Sequence, residues 1–315
     1  MADYPETVTE LHDWFDDETA CRAYLERIRW PQGPQCPRCP DARVWKMTPP
    51  FYRCARCGYD FTVTAGTLFD NTNLPLRLWF EAMWYVVNQK QGVSALGVQR
   101  VLGLGSYRTA WRWLHKLRRA MVRPGRDRLT GTVEVDETYI GGERAGKRGR
   151  GAEGKSLVLI AAQADGSKIG RIRLACIPNA SGPVLEAQVG QCVEPGSQVL
   201  TDGWRGYSGL AAQGYQHALV RAGAIVGENL LPRCHRVASL LQRWLLGTHQ
   251  GAVASSHLDY YLDEFTFRFN RRTSRSRGLL FYRLINHAVS IGPVRCEKLV
   301  GAKSPQPVVL GESRA

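Results

Sequence analysis

The sequence is short of acidic residues and of long apolar runs, and each shortage removes a class of protein. Its longest apolar stretch, near LVLIAAQA, falls far below the roughly 20 residues needed to cross a bilayer, which excludes an apolar membrane span. No amphipathic basic helix with a long apolar face stands out, so an anionic membrane surface is the weaker explanation of the charge. Asp plus Glu number 28 against 42 Lys plus Arg, a net charge of +14, with a pI of about 9.6. That excess points to a polyanion, most simply nucleic acid. The opening MADYPETVTELHDWFDDETA is acidic and lacks a basic stretch followed by an apolar one, so no secretory leader is read and a cytoplasmic location is expected. No internal repeat is present, which excludes a solenoid.

At 315 residues with 44% hydrophobic content, the chain has material for two or three domains with real cores. Composition divides it into an N-terminal helical segment (1–30), a Cys/Pro/Gly-rich stretch (31–70), a region of helical periodicity (74–122), and a region from 130 to 290. In that last region strand patterns (TVEVDETYI, SLVLIAAQAD, KIGRIRLACI, SQVLTD, QHALV) come first, and helical ones (PVLEAQVGQCV, 235–247, 257–269) follow. Residues 301–315 read as a disordered tail.

In a reducing compartment the nine cysteines are thiols or metal ligands before they are disulfides. Cys36, Cys39, Cys54 and Cys57 form C-x2-C, fourteen residues, C-x2-C. Each C-x2-C wraps two thiolates around one ion and the gap closes a hairpin, predicting a structural zinc ribbon. Cys21, Cys176, Cys192, Cys234 and Cys296 show no such pattern and read as buried thiols.

After the ribbon, LPLRLWFEAMWYVVNQK predicts a helix starting at Pro75. GVSALGVQRVLGL predicts a short second helix, and SYRTAWRWLHKLRRAM a third, capped by Ser106. In the third, Ala110, Leu114, Leu117 and Met121 make an apolar stripe, while Arg108, Arg112, Lys116 and Arg119 fall on the other side. That is the layout of a helix-turn-helix whose last helix lies against DNA.

GTVEVDETYIGG alternates like a half-buried strand yet carries Glu134, Asp136 and Glu137, costly unless paired or metal-bound. SQVLTDGWRGY ends a second strand on Asp202. If these strands are neighbours, Asp136 and Asp202 can share a hard divalent cation such as Mg2+. His235, on a later helix with Gln242 two turns on, is the candidate third ligand, and Asp263 and Glu264 are rival acids. Gly141, Gly146 and Lys147 nearly match a phosphate loop, but Arg148 replaces the Ser or Thr that must reach Mg2+, and no helix follows. Nucleoside triphosphate binding is rejected. RFNRRTSRSRGLLFYR carries six arginines and no acid, and Arg271 and Arg272 are read as phosphate contacts.

RWPQGPQCPRCP, CGYDFTVTAGTLF, TAWRWLHKLR, VEVDETYIGG, GRGAEGKSLV, TDGWRGY, RWLLGTHQG and YLDEFTFRFNRR jointly resemble the transposases of bacterial insertion sequences in the zinc-ribbon, ISXO-two-like group, from about residue 10 to 290. The resemblance implies an α/β fold, an RNase H-like catalytic domain preceded by the zinc ribbon and helix-turn-helix. It implies a DDE-type enzyme that cuts and joins double-stranded DNA with Mg2+ or Mn2+ and works as a homo-oligomer on paired element ends. The family pattern is two aspartates, then Glu, Asn or His, then a lysine seven residues on. Carried over, it gives Asp136, Asp202 and His235 as the catalytic triad, with Gln242 at the lysine position. Competing expectations are a zinc-ribbon DNA-binding regulator that binds without cutting, and a related nuclease that prefers branched DNA.

Overall fold

The computed structural model describes residues 3–123, 125–141, 155–220, 230–251 and 253–294. Most of the glycine- and arginine-rich stretch 141–155, Cys296 and the tail lie outside the described residues. The chain forms two compact units, Met1–Pro124 with Ser274–Ala315, and Gly125–Thr273.

The first unit opens with α1 (Val8–Trp14) and α2 (Glu18–Arg29). Thr7 and Asp17 start them by accepting the backbone N–H of Glu10 and Ala20 at 3.1 and 2.7 Å. A small antiparallel sheet follows, β1 (Val44–Lys46), β2 (Tyr52–Cys54) and β3 (Asp60–Phe61). Then come α3 (Leu76–Asn88), α4 (Ala95–Val101) and α5 (Tyr107–Ala120). Ser94 caps α4 through the Gly97 N–H at 3.0 Å. Ser106 holds the cap position of α5 but its hydroxyl makes no cap bond.

The second unit is built on β4 (Thr132–Ile140), β5 (Ser156–Asp165) and β6 (Lys168–Ile177). After α6 (Gly182–Cys192) it continues with β7 (Gln198–Thr201), β8 (Gln216–Leu219), α7 (Pro232–His249) and α8 (Leu258–Asn270). The sheet order is β6-β5-β4-β7-β8. β4, β5 and β6 run antiparallel, while β7 is parallel to β4 and β8 to β7. Because strand side chains alternate, each face has its own core. Ile140, Val158, Ile160 and Leu174 pack under α7 and α8 on one face. Val133, Val135, Leu159 and Val199 pack with α6 residues Leu185 and Val189 on the other. On α7 the buried residues Cys234, Val237, Leu241, Trp244 and Leu245 repeat every three or four positions, the stripe a helix lays on a sheet.

The last helix, α9 (Arg277–Ser290), packs with α2, α3 and α5 in the first unit. Phe281 meets Phe80 edge-on at 5.9 Å, and Phe80 meets Phe15 at 4.7 Å, giving that unit an aromatic centre.

Candidate functional site

The four predicted zinc ligands converge. Cys36, Cys39, Cys54 and Cys57 offer sulfurs that all lie within 4.8 Å of one another. Cys36 Sγ and Cys57 Sγ are 3.9 Å apart, close to the ~3.8 Å that tetrahedral zinc with Zn–S bonds of about 2.3 Å would set. Trp30, Tyr52 and Phe61 pack beneath, with Trp30 edge-on to Tyr52 at 5.3 Å. The thiols cannot all ionise without a cation between them. Hydrogen bonding to Cys57, then burial, pushes Cys39 up to about 12, while backbone N–H groups of Cys57 and Arg56 bring Cys54 down to about 7.

In the second unit β4 and β7 pair in parallel as Thr132 with Gln198, Val133 with Val199 and Glu134 with Leu200, each 66 positions apart. Carried two residues past the last rung, the same offset would bring Asp202, which follows the end of β7 at Thr201, opposite Asp136. Asp136 points to the α7 face, and His235 on the first turn of α7 brings Nε2 to 3.3 Å from Asp136 Oδ2. β7 ends before Asp202, whose Oδ1 accepts the Trp204 N–H at 2.9 Å. Gly203 turns the chain there with φ +83°, the left-handed region that favours glycine.

Burial pushes the Asp136 carboxyl up to about 6, with the like charges of Glu137 and Asp202 adding to it and the Glu137 N–H and His235 opposing. A carboxyl raised by burial, and further by neighbouring carboxylates, suits a hard cation, which would offset both. The group is more open than the thiols: among the described residues, only the cysteine set closes to within 4.8 Å.

Other residues surround this pair without having been singled out by pattern. Tyr207, fully buried, donates its hydroxyl to Glu137 Oε2 at 2.6 Å on the α6 face. Glu134, 2% exposed, binds Arg233 and the start of α7. Carboxylates within β4 signalled this cluster, but their partners lie far away in sequence.

The remaining candidates are placed differently. Glu264 is buried in an ion pair with Arg268 at 2.7 Å, and α8, which also carries Asp263, packs on β6 at the sheet edge remote from β7. Arg272 donates to the carbonyls of Phe269, Gly170 and Ile169, and Arg271 lies over the Phe267 ring at 4.2 Å. Arg272, which stays exposed, thereby ties the end of α8 to β6, while Arg271 bonds within its own helix. On α5 the apolar stripe is buried as expected. Of the basic stripe, Arg108 is exposed, whereas Arg112, Lys116 and Arg119 are half-buried, Lys116 at 5.8 Å from the Trp79 ring. Gln242 is exposed and lines a cavity of about 710 Å³ with Tyr139, Lys155 and Ser255. Cys21, Cys192 and Cys234 are buried thiols and Cys176 is half-buried. No helix among the described residues is long and apolar enough to cross a membrane.

Two family patterns match the chain, the ISXO2-like transposase domain over residues 128–270 and the transposase zinc-ribbon domain over residues 16–60. A protein described as uncharacterized, in transposable element ISH50 of Halobacterium salinarum, is 27% identical over 279 residues, covering 81% of this chain and 91% of that protein.

Proposed function

Because the chain belongs to the zinc-ribbon, ISXO2-like family of insertion-sequence transposases, we propose that it binds the terminal inverted repeats of its element and catalyses metal-dependent DNA strand cleavage and strand transfer. The observation that carries this reading is the parallel pairing of β4 with β7, whose 66-residue offset would bring Asp202 opposite Asp136, together with His235 at 3.3 Å from Asp136. The mixed sheet, with three antiparallel strands extended by two parallel ones and helices on both faces, supports an RNase H-like catalytic domain. The succession α3, α4 and α5 supports a helix-turn-helix, on which Arg108 is the exposed cation of the predicted stripe.

Asp136 and Asp202 would hold the divalent cations, with His235 as the third ligand through a neutral imidazole nitrogen. When bound, Mg2+ or Mn2+ supplies Lewis acidity at the attacking and leaving oxygens of the phosphodiester. The site offers carboxylates and an imidazole. On the opposite face of the sheet the Tyr207 hydroxyl is bonded to Glu137. Direct in-line attack, without a covalent enzyme intermediate, is the chemistry that two carboxylates and an imidazole around a divalent cation would serve. Water would first displace the 3′ oxygen at the element end, and the freed 3′-hydroxyl would then attack a phosphodiester of target DNA, expelling that strand's 3′ oxygen as a new hydroxyl. Glu137 and Tyr207 hold β4 to the turn after β7 while this proceeds.

The test is to measure binding and cleavage on one DNA fragment carrying the element's inverted repeats, with Mn2+ and without. Cleavage with metal, absent from Asp136→Ala and Asp202→Ala, is the expected result. Binding with no cutting under any metal would replace this reading with that of a regulator.

The carboxylate form of Asp136 is the one that binds a cation, and burial sets its titration at about 6. At a sub-saturating Mn2+ concentration, binding and cleavage should therefore fall as pH drops from 7 to 5. Without metal the sign reverses: a carboxyl raised in the folded state stabilises the fold below its unfolded value of about 4, and that contribution is lost as pH rises through 6. Calorimetry against pH, with and without Mn2+, checks both directions. A metal affinity that stays flat across that interval would contradict the assignment of Asp136.

A further inference from the structure

The start of α7 lacks a local cap. Its N-cap residue is Leu231, whose side chain makes no cap bond, and Pro232 follows with no N–H to give. The first-turn donors are satisfied instead from a strand about a hundred positions earlier. Glu134 Oε2 accepts the backbone N–H of Arg233 at 2.7 Å and of Cys234 at 3.1 Å. Its other oxygen, Oε1, accepts Arg233 Nη1 at 2.8 Å. The same guanidinium extends the tie to a third element, since Arg233 Nη2 donates to Gly166 O at 2.8 Å in the turn between β5 and β6. Glu134 is 2% exposed, so its charge is compensated by Arg233 and by the positive end of α7.

The next residue along α7 is His235, and two residues along β4 on the same face is Asp136. The carboxylate that fixes the helix start therefore fixes the distance between the imidazole and the candidate metal-binding aspartate. We propose that Glu134, working through Arg233, is a positioning residue of the transposase site: it docks the first turn of α7 on β4 so that His235 and Asp136 meet one cation. This rests on the catalytic reading given above.

The experiment uses zinc-loaded full-length protein and the Glu134→Gln variant. It reads Mn2+ affinity by calorimetry, the His235 imidazole resonance in metal-free protein (assigned with His235→Asn), cleavage, and DNA binding. Glu134→Gln should weaken Mn2+ affinity and slow cleavage by roughly 10–100-fold, the usual effect of removing a partner that orients a ligand. It should shift the His235 resonance and leave DNA binding unchanged. Arg272→Ala is the structural control. It breaks another tie to the β5–β6 hairpin, through Ile169 O and Gly170 O, and should lower the melting temperature without moving the His235 resonance or metal affinity. If folded Glu134→Gln keeps wild-type affinity and resonance, or loses no more than Arg272→Ala, the proposal is overturned. Should Glu134→Gln fail to fold, Arg233→Lys, which leaves the carboxylate on the two N–H groups, carries the test. A several-fold loss of affinity supports the proposal, and wild-type affinity overturns it. Asp136→Ala, run alongside, separates the two levels: if it too binds Mn2+ and cuts normally, the catalytic reading fails, not merely the role of Glu134.

Discussion

Asp136→Asn should leave the protein unable to cut DNA and, in the absence of metal, harder to unfold. Cleavage is expected to fall by at least the order of 10³-fold, beyond the ~10–100-fold typical of losing an orienting partner, because a ligand itself is removed. Stability moves the other way. The Asp136 carboxylate is held where burial and the charges of Glu137 and Asp202 all oppose its ionisation. An asparagine of the same shape keeps the acceptor for the Glu137 N–H, now made at 2.9 Å, and carries no charge to desolvate. Thermal melts of the metal-free proteins at pH 7 check the sign. Equal or lower melting temperature in Asp136→Asn, together with retained cleavage, would mean that this carboxyl is an ordinary surface-tolerant acid. Such opposition of stability and activity is expected where a site is built to receive charge from outside.

Cys54→Ser should cost the protein its ribbon. Zinc held by four thiolates contributes on the order of 10–16 kcal/mol to small domains of this kind. The sheet formed by β1, β2 and β3 spans only Val44–Phe61, with Trp30, Tyr52 and Phe61 as its apolar support. Elemental analysis should find one zinc per wild-type chain and none in the variant. Amide resonances of residues 36–61 should collapse toward unfolded positions, and binding to element ends should be lost or strongly weakened. By contrast, Mn2+ affinity at Asp136 should be kept, because no cysteine of the ribbon belongs to the unit Gly125–Thr273. Retention of a full equivalent of zinc in Cys54→Ser, with an intact ribbon spectrum, would contradict the assignment.

Much of this was legible in the chain because its signals are local. Alternation and β-branching marked β4, β5 and β6 with the boundaries the structure shows, and C-x2-C spacing marked the thiol cluster. Asp136 and Asp202 stood out because a strand carries carboxylates only for a reason. What escaped depends on partners distant in sequence. Glu134 reads as a flanking acid until α7 is seen to start on it 99 positions later. Arg272 bonds backbone carbonyls of β6 while remaining exposed, a partnership that its basic run does not announce. The half-burial of Arg112, Lys116 and Arg119 could not be read from helical spacing, since α5 meets both α4 and α9 and so covers more than one stripe. That α9 returns to the first unit is likewise a decision of packing, invisible in an amphipathic pattern that would suit either unit.

The ladder between β4 and β7 also governs which changes of chain length the protein can survive. β5, β6 and α6 lie between the two aspartates in sequence, yet β7 pairs with β4 directly, through three rungs. An added residue in the turn before α6 would be absorbed as slack, whereas one added between Leu200 and Asp202 would rotate the second carboxylate to the opposite side of the sheet. Insertional scanning should accordingly find tolerant loops on either side of a short intolerant window, and natural length variation among relatives should stop at its edges.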